Sequence, residues 1–114
     1  MTSQVIVRIS STIVHEPQLA SYLACLENDV IPKYEAAVGM IRVYQLQRRF
    51  VAYVEILTVS LWRSQEAVRG FVESQLLTED VKRKYCVIEV EPRSFEIVLF
   101  RKGKVPADQD SHQI

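Results

Sequence analysis

The chain has no excess of charge of either sign. Its 14 Lys and Arg residues balance 14 Asp and Glu residues, so the formal net charge is zero. Proteins that bind nucleic acid usually carry a basic patch or stripe. The densest basic cluster here, Lys82-Arg83-Lys84, directly follows the acidic pair Glu79-Asp80. We therefore expect this cluster to be a solvated face, and we expect no nucleic-acid partner.

Cysteine and histidine are scarce. Cys25 and Cys86 do not stand at the spacing of metal ligands, and the only histidines are His15 and His112. A catalytic thiol needs a histidine beside it, and this sequence offers few. We therefore expect no metal, and we expect both cysteines to be reduced thiols of a cytoplasmic protein.

Long apolar runs are also missing. None approaches the roughly 20 residues of a transmembrane helix, and the first residues lack the charged-then-apolar pattern of a signal peptide. We therefore expect no membrane partner. The chain is nevertheless 48% hydrophobic with only 3 Gly and 4 Pro, which favours one ordered domain over disorder. We place that domain at residues 1–101 and a disordered tail at residues 102–114, which are polar and aperiodic.

The first half of the chain predicts a strand, a helix and a second strand. Residues 5–14 alternate between an apolar face and a mixed face that contains Arg8. A helix is expected to begin near Pro17, to be kinked or restarted at Pro32 and to end at Gly39. Residues 40–47 form the second predicted strand.

The second half predicts a hairpin partner, a helix and a last strand. Residues 51–61 are apolar on both faces, which is typical of a central strand. A helix over residues 64–74 begins with Ser64 as a natural N-cap. Residues 75–84 are a further helical turn or a connector. Residues 87–90 are a short strand ended by Pro92, and residues 95–100 are the last long strand.

The order β-α-β-β-α-β is that of the ferredoxin-like α+β fold, with an antiparallel sheet and two helices on one face. The second face of the sheet is also apolar, and a chain of 114 residues has no third layer to cover it. A second copy is the simplest cover, so we expect a homodimer with the two sheets face to face, forming a dimeric α/β barrel.

Residues 60–67 (SLWRSQEA), followed by Phe71, resemble the strand-to-helix signature of the antibiotic-biosynthesis monooxygenase domain, a member of the dimeric α/β-barrel superfamily. Pro32 and Gly39 are also similar to the pattern of that domain, and the resemblance covers residues 5–100. It implies cofactor-free oxygenation of aromatic phenols, in which the deprotonated substrate itself reduces dioxygen. Other members of the family degrade haem, act on quinols or have no established reaction.

The candidate site residues each have a structural alternative. Trp62 and Phe71 either line a pocket for an aromatic substrate or lock the second helix to the sheet. His15 is the one histidine in the folded region that could act as a base, although its place before a helix also suits a surface or capping role.

Tyrosines and strand charges complete the candidate set. Tyr44 and Tyr53, like Tyr22, either hydrogen-bond a phenolic substrate or pack in the core or interface. Arg8 and Arg42 either bind a substrate oxyanion or, as strand charges like Glu55, form structural ion pairs.

The sequence therefore supports two functions. The first is a small cofactor-independent monooxygenase acting on an aromatic or quinone-type molecule. The second is a non-catalytic ligand-binding or regulatory dimer on the same fold. An oxygenase requires a cavity between helices and sheet that contains a titratable group, whereas the second function allows side chains to fill that space.

Overall fold

A four-stranded antiparallel sheet organises the molecule, with strand order β2-β3-β1-β4. The structure is a computed structural model that describes residues 5–72, 79–85 and 87–104. The strands are β1 (Ile6–His15), β2 (Met40–Arg49), β3 (Tyr53–Trp62) and β4 (Ile88–Glu96). The α-helices in the described ranges are α1 (Leu19–Cys25), α2 (Ile31–Glu35), α3 (Gln65–Val72) and α4 (Glu79–Lys84). The predicted ferredoxin-like α+β fold is confirmed.

The first helical region changes its winding ahead of Pro32. A 3₁₀ turn (Glu16–Gln18) leads into α1, and a π-helical turn (Leu26–Val30) joins α1 to α2. The Ile31 N–H donates to the Leu26 carbonyl, five residues back. A proline lacks an N–H and crowds the preceding turn, so one wider turn before it keeps the chain helical. The restart of the helix predicted at Pro32 is therefore a π-helical turn followed by a new α-helix, α2.

Close contacts join α3 to the start of β2. The Ser64 hydroxyl accepts a hydrogen bond from the Ala67 N–H at 3.1 Å, so the predicted N-cap is confirmed. Gly39 has φ +87°, and a Cβ built on it lies 2.7 Å from the Ala67 Cβ. The Gly39 carbonyl also accepts from the Arg63 N–H at 2.8 Å. Glycine at this position therefore allows both the left-handed turn and the contact with the helix.

The prediction of two separate strands near the end of the chain was wrong. A single strand, β4, runs through Pro92, and residues 97–100 are not in a strand. The register of β4 on β1 shifts between Ile9 and Ser11, opposite residues 91–92. Because β4 is an edge strand and bulged there, the missing N–H of proline costs no ladder hydrogen bond.

Other predicted boundaries moved by a few residues. The hairpin turn lies at residues 50–52 rather than 48–50, and Ala52 adopts φ +70° there. Residues 75–84 were predicted to be a helical turn or a connector, and α4 shows that residues 79–84 are helical. Residues 73–78, Cys86 and residues 105–114, which include most of the predicted tail, lie outside the described residues.

The core lies between the helices and one face of the sheet. Its buried members are Ile6, Val14, Leu19, Tyr22, Leu26, Val30, Tyr34, Val54, Ile56, Trp62, Val68 and Phe71. None of the helices within the described ranges is long and apolar enough to cross a bilayer.

The opposite face of the sheet, which we call the open face, is rich in apolar side chains. It carries Val7, Ile9, Ile13, Tyr44, Leu46, Tyr53, Leu57, Val59, Leu61, Ile88, Val90 and Phe95, as the strand register shows. All of these are exposed or only half-buried in the single chain. The predicted central position of β3 is confirmed, but the described part of the chain covers β3 on the helix side only.

Candidate functional site

The structure divides the predicted site residues between the two faces of the sheet. Arg8, Trp62 and Phe71 lie in the layer between sheet and helices. His15, Arg42, Tyr44 and Tyr53 lie on the open face, by the strand register. The two groups therefore cannot act together on one small molecule within a single chain.

Trp62 and Phe71 pack as part of a buried aromatic cluster. Trp62 is 0% exposed, and its Nε1 donates to the Ser60 Oγ at 2.8 Å. Its ring centroid lies 4.8 Å from that of Phe71, which in turn lies 4.5 Å from that of Tyr34. These contacts join α3 and α2 to the end of β3. Trp62 therefore packs in the core and holds the helix against the sheet, which is the structural one of its two predicted roles.

Arg8 is a buried cation beside this cluster. The residue is 7% exposed, and its Nη1 donates to the Tyr34 hydroxyl at 3.2 Å. Its guanidinium carbon lies 5.9 Å from the centroid of the Phe71 ring. The ion pairs seen in the described ranges do not include Arg8. A guanidinium in this position can hold an anionic or strongly polar oxygen.

Two buried tyrosines flank Arg8 along the helix layer. The hydroxyls of Tyr22 and Thr12 are hydrogen-bonded at 2.9 Å. Burial raises the pKa of Tyr22 to about 12 and also raises the pKa of Tyr34, which the nearby Arg8 partly offsets. Both phenols are therefore protonated at neutral pH, so they can donate hydrogen bonds but cannot serve as bases.

A small polar cavity connects these groups. Its volume is about 40 Å³, and its lining residues are Arg8, Ser10, Thr12, Tyr22, Leu26, Val30, Tyr34, Thr58 and Glu89. A cavity that binds benzene measures about 150 Å³, so this one has room for a water molecule but not for an aromatic ring. The titratable groups expected in an oxygenase site are present, and the space for an aromatic substrate is not.

Sequence reasoning missed the contribution of Tyr34 and did not commit to Tyr22. The signal was there, because Tyr22, Leu26, Val30 and Tyr34 recur every fourth residue. That spacing places them on one helix face, and the mixed face of β1 with Arg8 was the available polar partner.

His15 lies outside this cavity. At about 3.3 Å per residue along β1, it is roughly 23 Å from Arg8. It is exposed, and its ring centroid lies 5.3 Å from that of Tyr53. The geometry thus gives His15 no access to a ligand held by Arg8.

The open face carries a polar network of its own. Glu55 accepts a hydrogen bond from the Ser11 hydroxyl at 2.7 Å and is paired with Arg48 at 2.8 Å. The Ser11 hydrogen bond and then the Arg48 contacts lower the pKa of the Glu55 carboxyl. Glu55 therefore forms an ion pair, as predicted for a structural strand charge. Arg42 is exposed on this face, and the ion pairs seen in the described ranges do not include it.

A second, larger concavity lies on the outside of the helix layer. This groove has a volume of about 940 Å³ and runs between the end of α2 and α3. Its floor is built from small residues, which include Ala36, Ala37, Gly39, Ala67 and Gly70. No cluster of His, Cys, Asp or Glu within the described ranges could hold a metal ion.

The sequence matches no protein-family model and no curated protein. Solved structures do match. A candidate antibiotic biosynthesis monooxygenase from Bacillus cereus is 15% identical, with 88% of this chain and 99% of that chain aligned and a TM-score of 0.65. A variant of SnoaB, a cofactor-independent oxygenase from Streptomyces nogalater, is 12% identical over 86% of this chain and 97% of that one, with a TM-score of 0.62.

A dimeric ferredoxin-like protein from an uncultured marine organism is only 3% identical, yet 86% of this chain and 99% of that chain align with a TM-score of 0.68. Identities this low establish a shared fold. The expected resemblance to antibiotic biosynthesis monooxygenases is therefore confirmed at the level of the fold.

Proposed function

We propose that this chain is a small cofactor-independent monooxygenase acting on an aromatic or quinone-type molecule, with its site at Arg8, Tyr34 and Tyr22. The observation that carries this proposal is the buried Arg8 guanidinium, which donates to Tyr34 beside a small polar cavity. The shared fold with SnoaB, described as a cofactor-independent oxygenase, adds support.

In this proposal the protein binds an oxyanion and the substrate supplies the electrons. The phenolate oxygen of the substrate accepts hydrogen bonds from Arg8 and Tyr34, which stabilise its charge in a low-dielectric site. The ionised substrate transfers electrons to dioxygen and forms a carbon–oxygen bond. Loss of water from the resulting hydroperoxide leaves a carbonyl, so one oxygen atom enters the product and the other leaves as water.

The site also limits the class of substrate. Tyr22 and Tyr34 stay protonated, and His15 lies on the other face of the sheet. Among the described residues, Glu89 is the carboxylate that lines the cavity with Arg8, and it is paired with Lys82. We therefore infer a substrate acidic enough to ionise near neutral pH, such as an anthrone, a quinol or a catechol.

An aromatic ring requires the cavity to widen beyond about 40 Å³. The contacts on the α4 side are the ones that have to open. Lys82 pairs with Glu89, which lines the cavity, at 3.2 Å. Tyr85 lies 5.9 Å, centroid to centroid, from Tyr22.

The small cavity favours a second candidate function. A non-catalytic ligand-binding or regulatory protein needs only a small polar site, and here side chains fill most of the space between helices and sheet. The ligand in that case is a small anion or polar molecule held by Arg8.

We also propose a homodimer in which two open faces pack together, as in a dimeric α/β barrel. The support is the run of half-exposed apolar side chains on that face and the fold shared with a dimeric ferredoxin-like protein.

Cys25 is a free thiol, which suits the proposed cytoplasmic location.

Oxygen consumption with a panel of anthrones, quinols and catechols tests the proposed reaction. We expect uptake that persists with chelators and without added flavin, and we expect Arg8→Met to lower kcat/KM by about 10- to 100-fold, because a hydrogen bond to a charged group is worth roughly 1.5–3 kcal/mol. The control is Arg42→Met, an arginine on the open face, which retains full activity.

Two results decide against the oxygenase. If no compound is consumed but one raises the melting temperature of the wild type and not of Arg8→Met, the ligand-binding function stands instead. If Arg8→Met consumes oxygen as fast as the wild type, the site is elsewhere.

A further inference from the structure

A third concavity, between α3 and β4, adjoins the buried Arg8. We call it the cleft. It has a volume of about 430 Å³, and its lining residues are Arg8, Gln65, Val68, Arg69, Val72, Glu91, Pro92 and Ser94. Pockets for small molecules usually measure roughly 300–1,000 Å³, and a cavity of about 150 Å³ already binds benzene. The cleft therefore has room for an aromatic group, which the small polar cavity does not.

Local structure brings the two walls of the cleft together. The residues of α3 that line it recur at the three- and four-residue spacing of one helix face, namely Gln65, Val68, Arg69 and Val72. On the sheet, Ser94 of β4 is the register partner of Arg8. The bulge of β4 at residues 91–92 lies beside this pair, and bulges of this kind are frequent next to functional sites.

Arg8 lies between the cleft and the small polar cavity, because it lines both. Tyr34 accepts a hydrogen bond from Nη1, one of the three guanidinium nitrogens. The other two have no hydrogen-bond partner among the described residues. Yet no buried side-chain nitrogen or oxygen in the described ranges lacks a partner. The free nitrogens of Arg8 therefore keep access to open space, where a ligand can accept their hydrogen bonds.

The charges around the cleft favour an anion. Two cations, Arg8 and Arg69, line it together with one carboxylate, Glu91. The ion pairs seen in the described ranges include none of these three residues. A carboxylate can accept two parallel hydrogen bonds from a guanidinium, and this is among the strongest polar contacts in proteins. The exposed Arg69 adds attraction at the rim.

The remaining lining favours a flat apolar body on that anion. Val68, Val72 and Pro92 offer apolar surface, and Val68 is buried whereas Val72 is half-exposed. The larger groove beside α2 offers no comparable anion site, because the charged residues that line it are all exposed: Lys33, Arg63 and Glu66.

We propose that the cleft binds an aromatic carboxylate. Arg8 holds the carboxylate group, the ring lies against Val72 and Pro92, and Arg69 attracts the anion at the rim. This site does not rest on the oxygenase proposed above, because a ligand without a phenolic hydroxyl can occupy it and no reaction has to follow.

Titration calorimetry of the full chain with 2-naphthoate tests the site. The matched control probe is 2-naphthylmethanol, which has the same rings and no charge. At low ionic strength we expect a Kd of roughly 0.1 mM or lower for the carboxylate, and binding that is about tenfold weaker or more for the alcohol. Neither probe is a phenol, so the result is independent of oxygen consumption.

Substitutions at the rim should change the affinity for 2-naphthoate in opposite directions. Arg69→Gln should weaken binding by about threefold and Glu91→Gln should tighten it by about threefold, and added salt should reduce both differences. Arg8→Met should weaken binding by roughly tenfold or more. Arg63→Met, which removes an exposed arginine beside the groove, is the control and should leave the affinity unchanged.

The outcomes separate this site from the groove and from the oxygenase. If 2-naphthoate binds no better than the alcohol, or if Arg69→Gln and Glu91→Gln leave its affinity unchanged, the cleft site is overturned. Amide shifts in NMR spectra that fall on residues 33–39 instead of residues 65–72 and 91–94 place the probe in the groove and also overturn it. A protein that binds 2-naphthoate as expected but consumes no oxygen supports the cleft site and counts against the oxygenase alone.

Discussion

At the scale of single residues, the burial of the Arg8 cation carries an energetic cost. A buried cation without an ion pair is unfavourable unless other groups replace its hydration. Here the Tyr34 hydroxyl and the face of the Phe71 ring do so. A cation retained in this position has room to bind an anion, which is why the proposed site centres on Arg8.

The titration of Tyr22 gives a prediction at the same scale. Burial raises its pKa to about 12, above the ordinary tyrosine value of about 10. The unfolded chain therefore loses this proton first as the pH rises, and the stability that the protonated Tyr22 contributes is complete below pH 10 and is lost through pH 12. We expect wild type to lose up to about 2 kcal/mol more than Tyr22→Phe across that window.

Urea unfolding of both variants at a series of pH values from 8 upward measures this difference. If the free energy of unfolding falls with pH in the same way for wild type and Tyr22→Phe, Tyr22 ionises like a solvated phenol and the prediction is wrong.

At the scale of elements, the junction between β2 and α3 decides how the second helix sits on the sheet. Gly39 and Gly70 make a matched pair. A Cβ at Gly39 meets the Ala67 Cβ at 2.7 Å, whereas a Cβ at Gly70 has nothing within 4 Å. The same change at the two positions should therefore have opposite effects.

We expect Gly39→Ala to destabilise the protein by about 2 kcal/mol or more, through its positive φ and the clash with α3. Gly70→Ala should stabilise it by roughly 0.5–1 kcal/mol, because alanine favours the helix interior. Chemical denaturation measures both. Equal effects of the two changes would mean that α3 packs differently against the start of β2.

At the scale of the whole molecule, the two faces of the sheet have different roles. The helix side holds the core and the polar cavity, and the open face holds apolar side chains around the Ser11, Glu55 and Arg48 network. In the proposed homodimer, packing of two open faces would bury these apolar side chains together with the Glu55–Arg48 ion pair.

Val59 lies on central β3 and on the open face, so it tests this arrangement. We expect Val59→Glu to yield a folded monomer, since the side chain is only half-buried in the single chain and a charge there opposes face-to-face packing. Val51→Glu, at a hairpin position that is 94% exposed, should remain dimeric. Sedimentation combined with circular dichroism measures assembly and folding, and a Val59→Glu protein that still dimerises would rule out this face as the interface.

The amino-acid sequence by itself determined the order of elements and the two faces of each strand. Alternation along residues 5–14 and 51–61 sorted the side chains, and Ser64, Pro32 and Gly39 marked helix boundaries, because these signals act through the local backbone. The sequence also brought Trp62 and Phe71 into consideration as residues that join helix to sheet.

Only the tertiary structure decided which polar groups meet and where β4 ends. Arg8 and Tyr34 are far apart in the chain, and their contact depends on how the helices lie across the sheet. The separation of His15, Tyr44 and Tyr53 from Arg8 depends on which face the helices cover. β4 ends at Glu96. A strand forms only where a neighbouring backbone bonds to it, and the local pattern of residues 97–100 carries no information about that neighbour.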